Sequence, residues 1–442
     1  LIMKRIYVLD ILCVILLAVF STGCKKNSDS GSSIQPIVVT NPSMSIGSTS
    51  AVSGGKLTNA TAVTDKGVIW GTDSSALSVS ASNKISNGTG PSGFTDTIIN
   101  LLPHTKYYVK AYAVTGSLVT YGVAMSFTTS RAVYLAGYNG SSAAYWKDGK
   151  LFSLQGGDYA RSIFVVGNDV YVAGQNTTNL GLQAVYWKNG VPVYLNTGNT
   201  SAVANSIFVD GSDIYVAGYE LFNNMTGFPV AKYWKNGLSV PLVDGTYHTG
   251  VANSLIVNAG DIYVGGYVSR GPGSSVNYAA YWKNGRLVPL SDSTKTIATV
   301  QSIFVKGTDV YAVGYEKGST LVGGISLAKY WKNGLPVTLT DGTRDAVGWW
   351  IYVNGSDVYV AGSEYSTETL YSIAKYWKNG IAFSLTDGNE YGSAYGIFAL
   401  DGDVYVTGGE DDYFDAKYWK NGIVQPLQLT GKYTRTLAMF VQ

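Results

Sequence analysis

The chain has little of what most metal and redox chemistry needs. Its 442 residues include two cysteines, Cys13 and Cys24, and two histidines, His104 and His248. Such a set cannot supply the closely spaced nitrogen and sulfur ligands of a zinc site. Charged residues are also scarce, at 14%. With Lys4, Arg5, Lys25, Lys26, Asp10 and Asp29 set aside, the remaining acids and bases balance, so no surface for nucleic acid or anionic lipid is expected. No phosphate-binding glycine loop is present, and no G-x-S-x-G turn lies near a suitable Asp and His. No cofactor and no metal is therefore expected. Proline is sparse (11 residues) and no helical periodicity runs through the main body of the chain, which leaves an all-β fold.

Aromatic residues, by contrast, are abundant: they make up 13% of the chain, with 34 tyrosines. Many of them belong to a repeat, A-x-Y-W-K-[N/D]-G-x4-L, which begins at Ala143, Ala184, Ala231, Ala279, Ala328, Ala374 and Ala416. Its tryptophans, Trp146, Trp187, Trp234, Trp282, Trp331, Trp377 and Trp419, recur every 41 to 49 residues. Each Asn-Gly pair (Asp148-Gly149 in the first copy) is a two-residue hairpin signal between strand-like runs. Upstream of it stands a second fixed unit, [V/I]-Y-x-x-G, preceded by a short apolar run such as Ser162-Ile163-Phe164-Val165. One repeat is thus four short strands. Large side chains fall on both faces, as with Tyr376 and Trp377, which point opposite ways in a strand.

Repeats of this length mean a solenoid, a propeller or an array. Sheets covered on both faces suit stacked propeller blades. The repeat region opens on a second strand, Ala132 to Gly137, and ends on a lone first strand, Leu437 to Val441. Pairing these two would seal a seven-bladed β-propeller over residues 131–442 and leave no exposed sheet edge at the joint.

Ahead of this region, Met3-Lys4-Arg5 and the apolar run Ile6 to Phe20 read as a secretory signal. Ser21-Thr22-Gly23-Cys24 resembles a bacterial lipobox, with Ser21 where that pattern prefers Leu. The resemblance implies a signal peptide over 1–23, lipidation of Cys24, and membrane attachment through that lipid alone. Residues 24–36 read as a polar tether, with Lys25 to Ser33 rich in serine. In residues 37–130, Leu101-x-Pro103-x-Thr105-x-Tyr107 followed by Val109-Lys110-Ala111-Tyr112 resembles the tyrosine corner of a fibronectin type III domain. The YWKNG repeat resembles those of Bacteroidota surface lipoproteins, and that likeness implies an outer-membrane protein exposed at the cell surface. It brings no catalytic residues with it.

Loop lengths single out one face. From the first-strand aromatic or apolar residue to the second-strand Tyr the step is constant, whereas the loops between second and third strands vary from 5 to 13 residues. The crossovers to the next repeat vary as well and share that face, as expected of a binding surface on a rigid scaffold. The residues entering the first strands there are Arg161, Asn205, Asn253, Gln301, Trp349, Tyr395 and Leu437, expected to surround the mouth of a central channel. Trp349-Trp350 breaks the usual polar-Ser pair, and Arg344, Asp345, Glu390, Tyr391, Tyr247 and His248 come from nearby loops. The expected ligand residues are therefore Arg161, Asn205, Asn253, Gln301, Arg344, Trp349, Trp350 and Tyr395, with a glycan or surface protein as partner and no catalytic residue. A polysaccharide-cleaving enzyme is the alternative, with Glu390 and Glu410 or Asp411 as its acids; a structural spacer is the third. The recurrent Asp169, Asp213, Asp261, Asp309, Asp357 and Asp403 are expected to shape turns rather than bind calcium.

Overall fold

The computed structural model describes residues 35–80, 83–196, 200–221, 227–242, 249–269, 276–291, 296–318, 324–411, 415–430 and 433–442. Cys24, the leader, Tyr247 and His248 lie outside them. Every regular element among the described residues is a β-strand. Two compact units are present. The first holds described residues up to Ser43 with Val52–Thr97 and Tyr108–Ser126, and the second holds Met44–Ala51, Ile98–Tyr107 and Phe127–Gln442.

The amino-terminal strands make two sheets. One contains Ile37–Met44, Ala51–Thr58 and Phe94–Ile98; the other is built on Asp65–Gly71 and Lys106–Thr115. Val68, Ile69, Val109, Ala111 and Tyr112 are buried among them. The Tyr107 hydroxyl accepts a hydrogen bond from the Leu102 backbone N–H at 3.0 Å.

From Val133 onward the chain forms seven four-stranded antiparallel sheets, one per tryptophan repeat. Six consist of consecutive strands. The remaining sheet takes Val133–Asn139, Ser142–Lys147 and Lys150–Ser153 from the start of the region and Thr434–Val441 from the end. There Ala438, Met439, Phe440 and Val441 pair with Ala136, Leu135, Tyr134 and Val133. Ala132 and Gln442 exchange both backbone hydrogen bonds, at 2.8 and 3.1 Å. The first strand of each repeat packs beside that of the next, and Thr434–Val441 packs beside both Gly392–Leu400 and Tyr159–Val166, so the circuit of sheets closes.

The repeat residues explain the sheets. Asp148, Asn189, Asn236, Asn284, Asn333, Asn379 and Asn421 have φ between 50° and 53°, each followed by a glycine at about 80°. Two successive positive φ values make the type I′ turn, whose twist matches that of paired strands. The seven tryptophans are at most 2% exposed and fill the spaces between adjacent sheets. The Trp187 indole N–H donates to the Gln155 carbonyl at 2.7 Å and that of Trp146 to the Gln428 carbonyl at 2.8 Å, so these buried donors are satisfied.

The recurrent aspartates do lie in the turn network. Asp169 accepts from the Asn189 amide at 2.8 Å and pairs with Lys188, while the Asn189 side-chain oxygen accepts from the Val170 N–H. The same set recurs at Asp213, Asp261, Asp309, Asp357 and Asp403. Among the described residues no cluster of three His, Cys, Asp or Glu could hold a metal ion.

Candidate functional site

Each first strand carries a β-bulge, and the bulge sets the site. The pairing register slips between Ala160 and Ser162, Ala204 and Ser206, Ala252 and Ser254, Val300 and Ser302, Gly348 and Trp350, Ala394 and Gly396, and Thr436 and Ala438. The extra residue in each case is Arg161, Asn205, Asn253, Gln301, Trp349, Tyr395 or Leu437. A bulge leaves one residue unpaired and re-aims its side chain. All seven line a single cavity of about 440 Å³, together with Trp350 and Arg435.

The glycine of [V/I]-Y-x-x-G is what admits the bulge. A Cβ on Gly218 would lie 1.9 Å from the Val203 carbonyl oxygen, and one on Gly266 would lie 1.9 Å from that of Val251. Gly137, Gly174, Gly314, Gly362 and Gly408 face the same obstruction, at 1.7 to 2.1 Å. Only a residue without a side chain lets the bulged strand approach so closely.

Two of the amides also tie neighbouring sheets together. Asn205 Nδ2 donates to the Ala252 carbonyl at 3.0 Å, and Asn253 Nδ2 to the Val300 carbonyl at 2.8 Å. One layer below, Ser162, Ser206 and Ser254 each accept from the next sheet, from the N–H groups of Ile207, Leu255 and Ile303, all at 3.1 Å.

Trp350 stands where this serine layer would continue. Its indole packs against the cluster of Ala160, Ile163 and Ala438 and against that of Ala394, Ile397 and Val406. It lines the mouth and also a second, deeper cavity of about 410 Å³. That chamber is bounded by Phe164, Phe208, Ile256, Phe304, Tyr352, Phe398 and Phe440, the apolar residues of the seven first strands. Trp350 thus forms part of the floor of the mouth, whereas Trp349 borders the mouth alone. The Trp349 ring lies 5.8 Å from that of Tyr395, tilted by 59°, and its indole N–H is buried without an acceptor.

Arg344 is not among the residues that line the mouth. It lies in the crossover before the strand Ala346–Asn354, five residues ahead of the bulge, where the chain bends. The Asp341 carboxyl nearby is held below the usual range, first by Thr343 and to a lesser degree by Arg344. Arg435 takes a place at the mouth that sequence reasoning did not assign to it, with its guanidinium 6.0 Å from the Tyr395 ring. It precedes its bulge by two residues, and that spacing carries no meaning until the bulge is known.

Charge at this end follows a second rule. Where the third strand reads Ala-Lys-Tyr-Trp, the second strand carries Glu two residues after its glycine. Lys232 pairs with Glu220, Lys329 with Glu316, Lys375 with Glu364 and Lys417 with Glu410. Arg161, on a first strand, is held differently. Its guanidinium donates twice to the neutral Gln175 Oε1, at 2.9 and 3.2 Å, and lies 5.8 Å from the Tyr159 ring. Desolvation pushes its pKa below the ordinary arginine value. Glu390 is exposed and does not border the mouth, and Glu410 is engaged by Lys417.

No protein-family model matches the chain, and no curated protein matches it. Among solved structures it is similar to the β-propeller domain of the Trilobed protease from Pyrococcus furiosus, described as having an open velcro topology. That match has 12% identity and a TM-score of 0.36, and spans 80% of this chain and 96% of that one. It is also similar to a DUF4784 family protein from Bacteroides caccae, at 10% identity and a TM-score of 0.29, over 91% of this chain and 98% of that one.

Proposed function

We propose that the seven sheets are the blades of a closed seven-bladed β-propeller that binds a glycan or protein partner at the bulge-lined mouth. Residues 37–130 would be a fibronectin type III-like spacer. Lipid on Cys24 would hold the whole at the outer membrane, with the propeller displayed at the cell surface. The observation that carries the binding reading is the convergence of seven bulge residues, six of them polar or aromatic, on one cavity. Bulges recur where a sheet must aim a side chain at a ligand. A volume of about 440 Å³ falls within the range of small-ligand sites. Aromatic faces stack on sugar rings, and amide and guanidinium groups hydrogen-bond their hydroxyls.

The described lining of the mouth contains no carboxyl group, whereas glycoside cleavage ordinarily needs two. That favours binding over cleavage. The reading is tested by probing a glycan and protein array with the purified chain and repeating the array with Trp349→Ala. Hits that disappear in the variant support it. An array with no hits, or with hits indifferent to Trp349, would leave the propeller as a spacer.

A further inference from the structure

From the charge of the mouth we infer that its ligand is an acidic carbohydrate, a sugar ring carrying a carboxylate that Arg161 and Arg435 receive. This rests on the mouth being the binding site proposed above, and it names the class of ligand.

On its third strands the chain meets half-buried cations with acids. Four times, at Lys232, Lys329, Lys375 and Lys417, it supplies a glutamate from the adjacent strand. At Arg161 it supplies the amide oxygen of Gln175 and an aromatic ring. These orient the guanidinium without neutralising it. An unneutralised charge held partly away from water is costly. The cost is recovered when an anion arrives. Desolvation of Arg161 belongs to the same picture, since it weakens the hold on the proton unless a negative group is near.

Arg435 brings a second positive charge to the same cavity, and among the described residues no Asp or Glu lines it. Two guanidinium groups beside a carboxylate are the arrangement that charge-assisted hydrogen bonding favours.

The remainder of the lining suits a sugar better than an acidic peptide. Trp349 and Tyr395 bring aromatic rings to the lining, and such rings suit the apolar face of a sugar. The Trp349 N–H lacks an acceptor that a ring or hydroxyl oxygen would provide. Asn205 and Asn253 have their NH2 groups engaged with the next sheet, and this fixes the orientation of their amide oxygens, which are hydroxyl acceptors.

The test uses the full purified chain and isothermal titration. The probes are oligosaccharides of galacturonate, of mannuronate and guluronate, and of glucuronate, each beside its carboxyl-reduced neutral counterpart, with hexa-aspartate as the peptide control. At least one uronate oligosaccharide is expected to bind at least tenfold more tightly than its neutral counterpart, and more weakly as salt rises. Arg161→Gln is expected to abolish that preference with little change in melting temperature, and Arg161→Lys to restore part of it.

Equal affinity for the acidic and neutral members of a pair would overturn the acidic class while leaving a glycan-binding mouth intact. Binding of hexa-aspartate in place of any sugar would overturn both the class and the glycan reading in favour of an acidic protein partner. Binding of none of the probes would overturn the inference. A uronate preference unchanged by Arg161→Gln and by Arg435→Gln would place the site elsewhere and overturn it as well.

Discussion

A Cβ on Gly218 would lie 1.9 Å from the carbonyl oxygen of Val203, a separation that no side chain can occupy. This one contact links the repeat motif to the mouth, because it lets the first strand bulge at Asn205 and turn that residue toward the cavity.

Gly218→Ala is therefore expected to destabilise the protein by about 1–3 kcal/mol, the range for overpacking against atoms that cannot move aside. Its obstruction is backbone, so the upper part of the range is expected. Thermal or urea unfolding would measure the change. The same substitution at Gly237, which has open space around it, would act only through its positive φ.

Trp350 and Trp349 are adjacent but are expected to behave differently. Trp350 packs against two separate apolar clusters, so Trp350→Ala is expected to leave a void and lower the melting temperature. A fully buried tryptophan loses about 3–5 kcal/mol on such truncation. Trp350 is partly exposed, and a smaller loss is expected. Arg344→Ala is expected to leave both stability and binding unchanged, since the mouth does not include it.

Pairing of Thr434–Val441 with Val133–Asn139 is expected to be essential. Deleting residues 434–442 would expose the edge of one sheet and uncover Tyr159–Val166 beside it, and unpaired strands recruit one another. Size-exclusion chromatography is expected to show aggregation. A monomeric truncation with unchanged melting would contradict closure.

Acid stability follows from the turn aspartates. Asp169, Asp261, Asp309 and Asp357 are held below the ordinary value of 3.8, mainly by the turn asparagine and then by the neighbouring lysine; at Asp213 and Asp403 the lysine comes first. A carboxyl whose folded pKa lies below its unfolded one contributes stability above the unfolded value, and loses it as pH falls through the folded value. Melting temperature is accordingly expected to hold from neutrality down to about pH 4 and to decline below it. Asp261→Asn is expected to flatten the decline slightly, and a decline that begins near pH 6 would point to other groups.

Much of the fold could be read from the sequence, because its signals are local and repeated. Asn-Gly pairs specify type I′ turns wherever they occur, and a tryptophan at constant spacing must find a constant pocket. The residues of the mouth were legible by position, but the reason they point there was not. A bulge is one extra residue in a strand pair, and it shows only when both strands are seen in register. Arg435 reaches the mouth from its place just before a bulge, which the sequence does not mark, and Arg344 shows that nearness in sequence to a bulge residue does not carry a crossover residue to the cavity. The alternation of Glu with Lys across four of the repeats was visible in the sequence all along. Its meaning depends on knowing that the second and third strands lie side by side.

The central claim is that the bulge residues form a ligand site, and the affinity of Trp349→Ala tests it most directly. Aromatic anchors of binding sites contribute about 2 kcal/mol or more, which corresponds to more than a tenfold change in Kd. Titrated with the tightest ligand from the array, Trp349→Ala is expected to bind more than tenfold more weakly while melting within a degree or two of the parent chain. An unchanged Kd, or a variant that loses its fold together with its binding, would contradict the account.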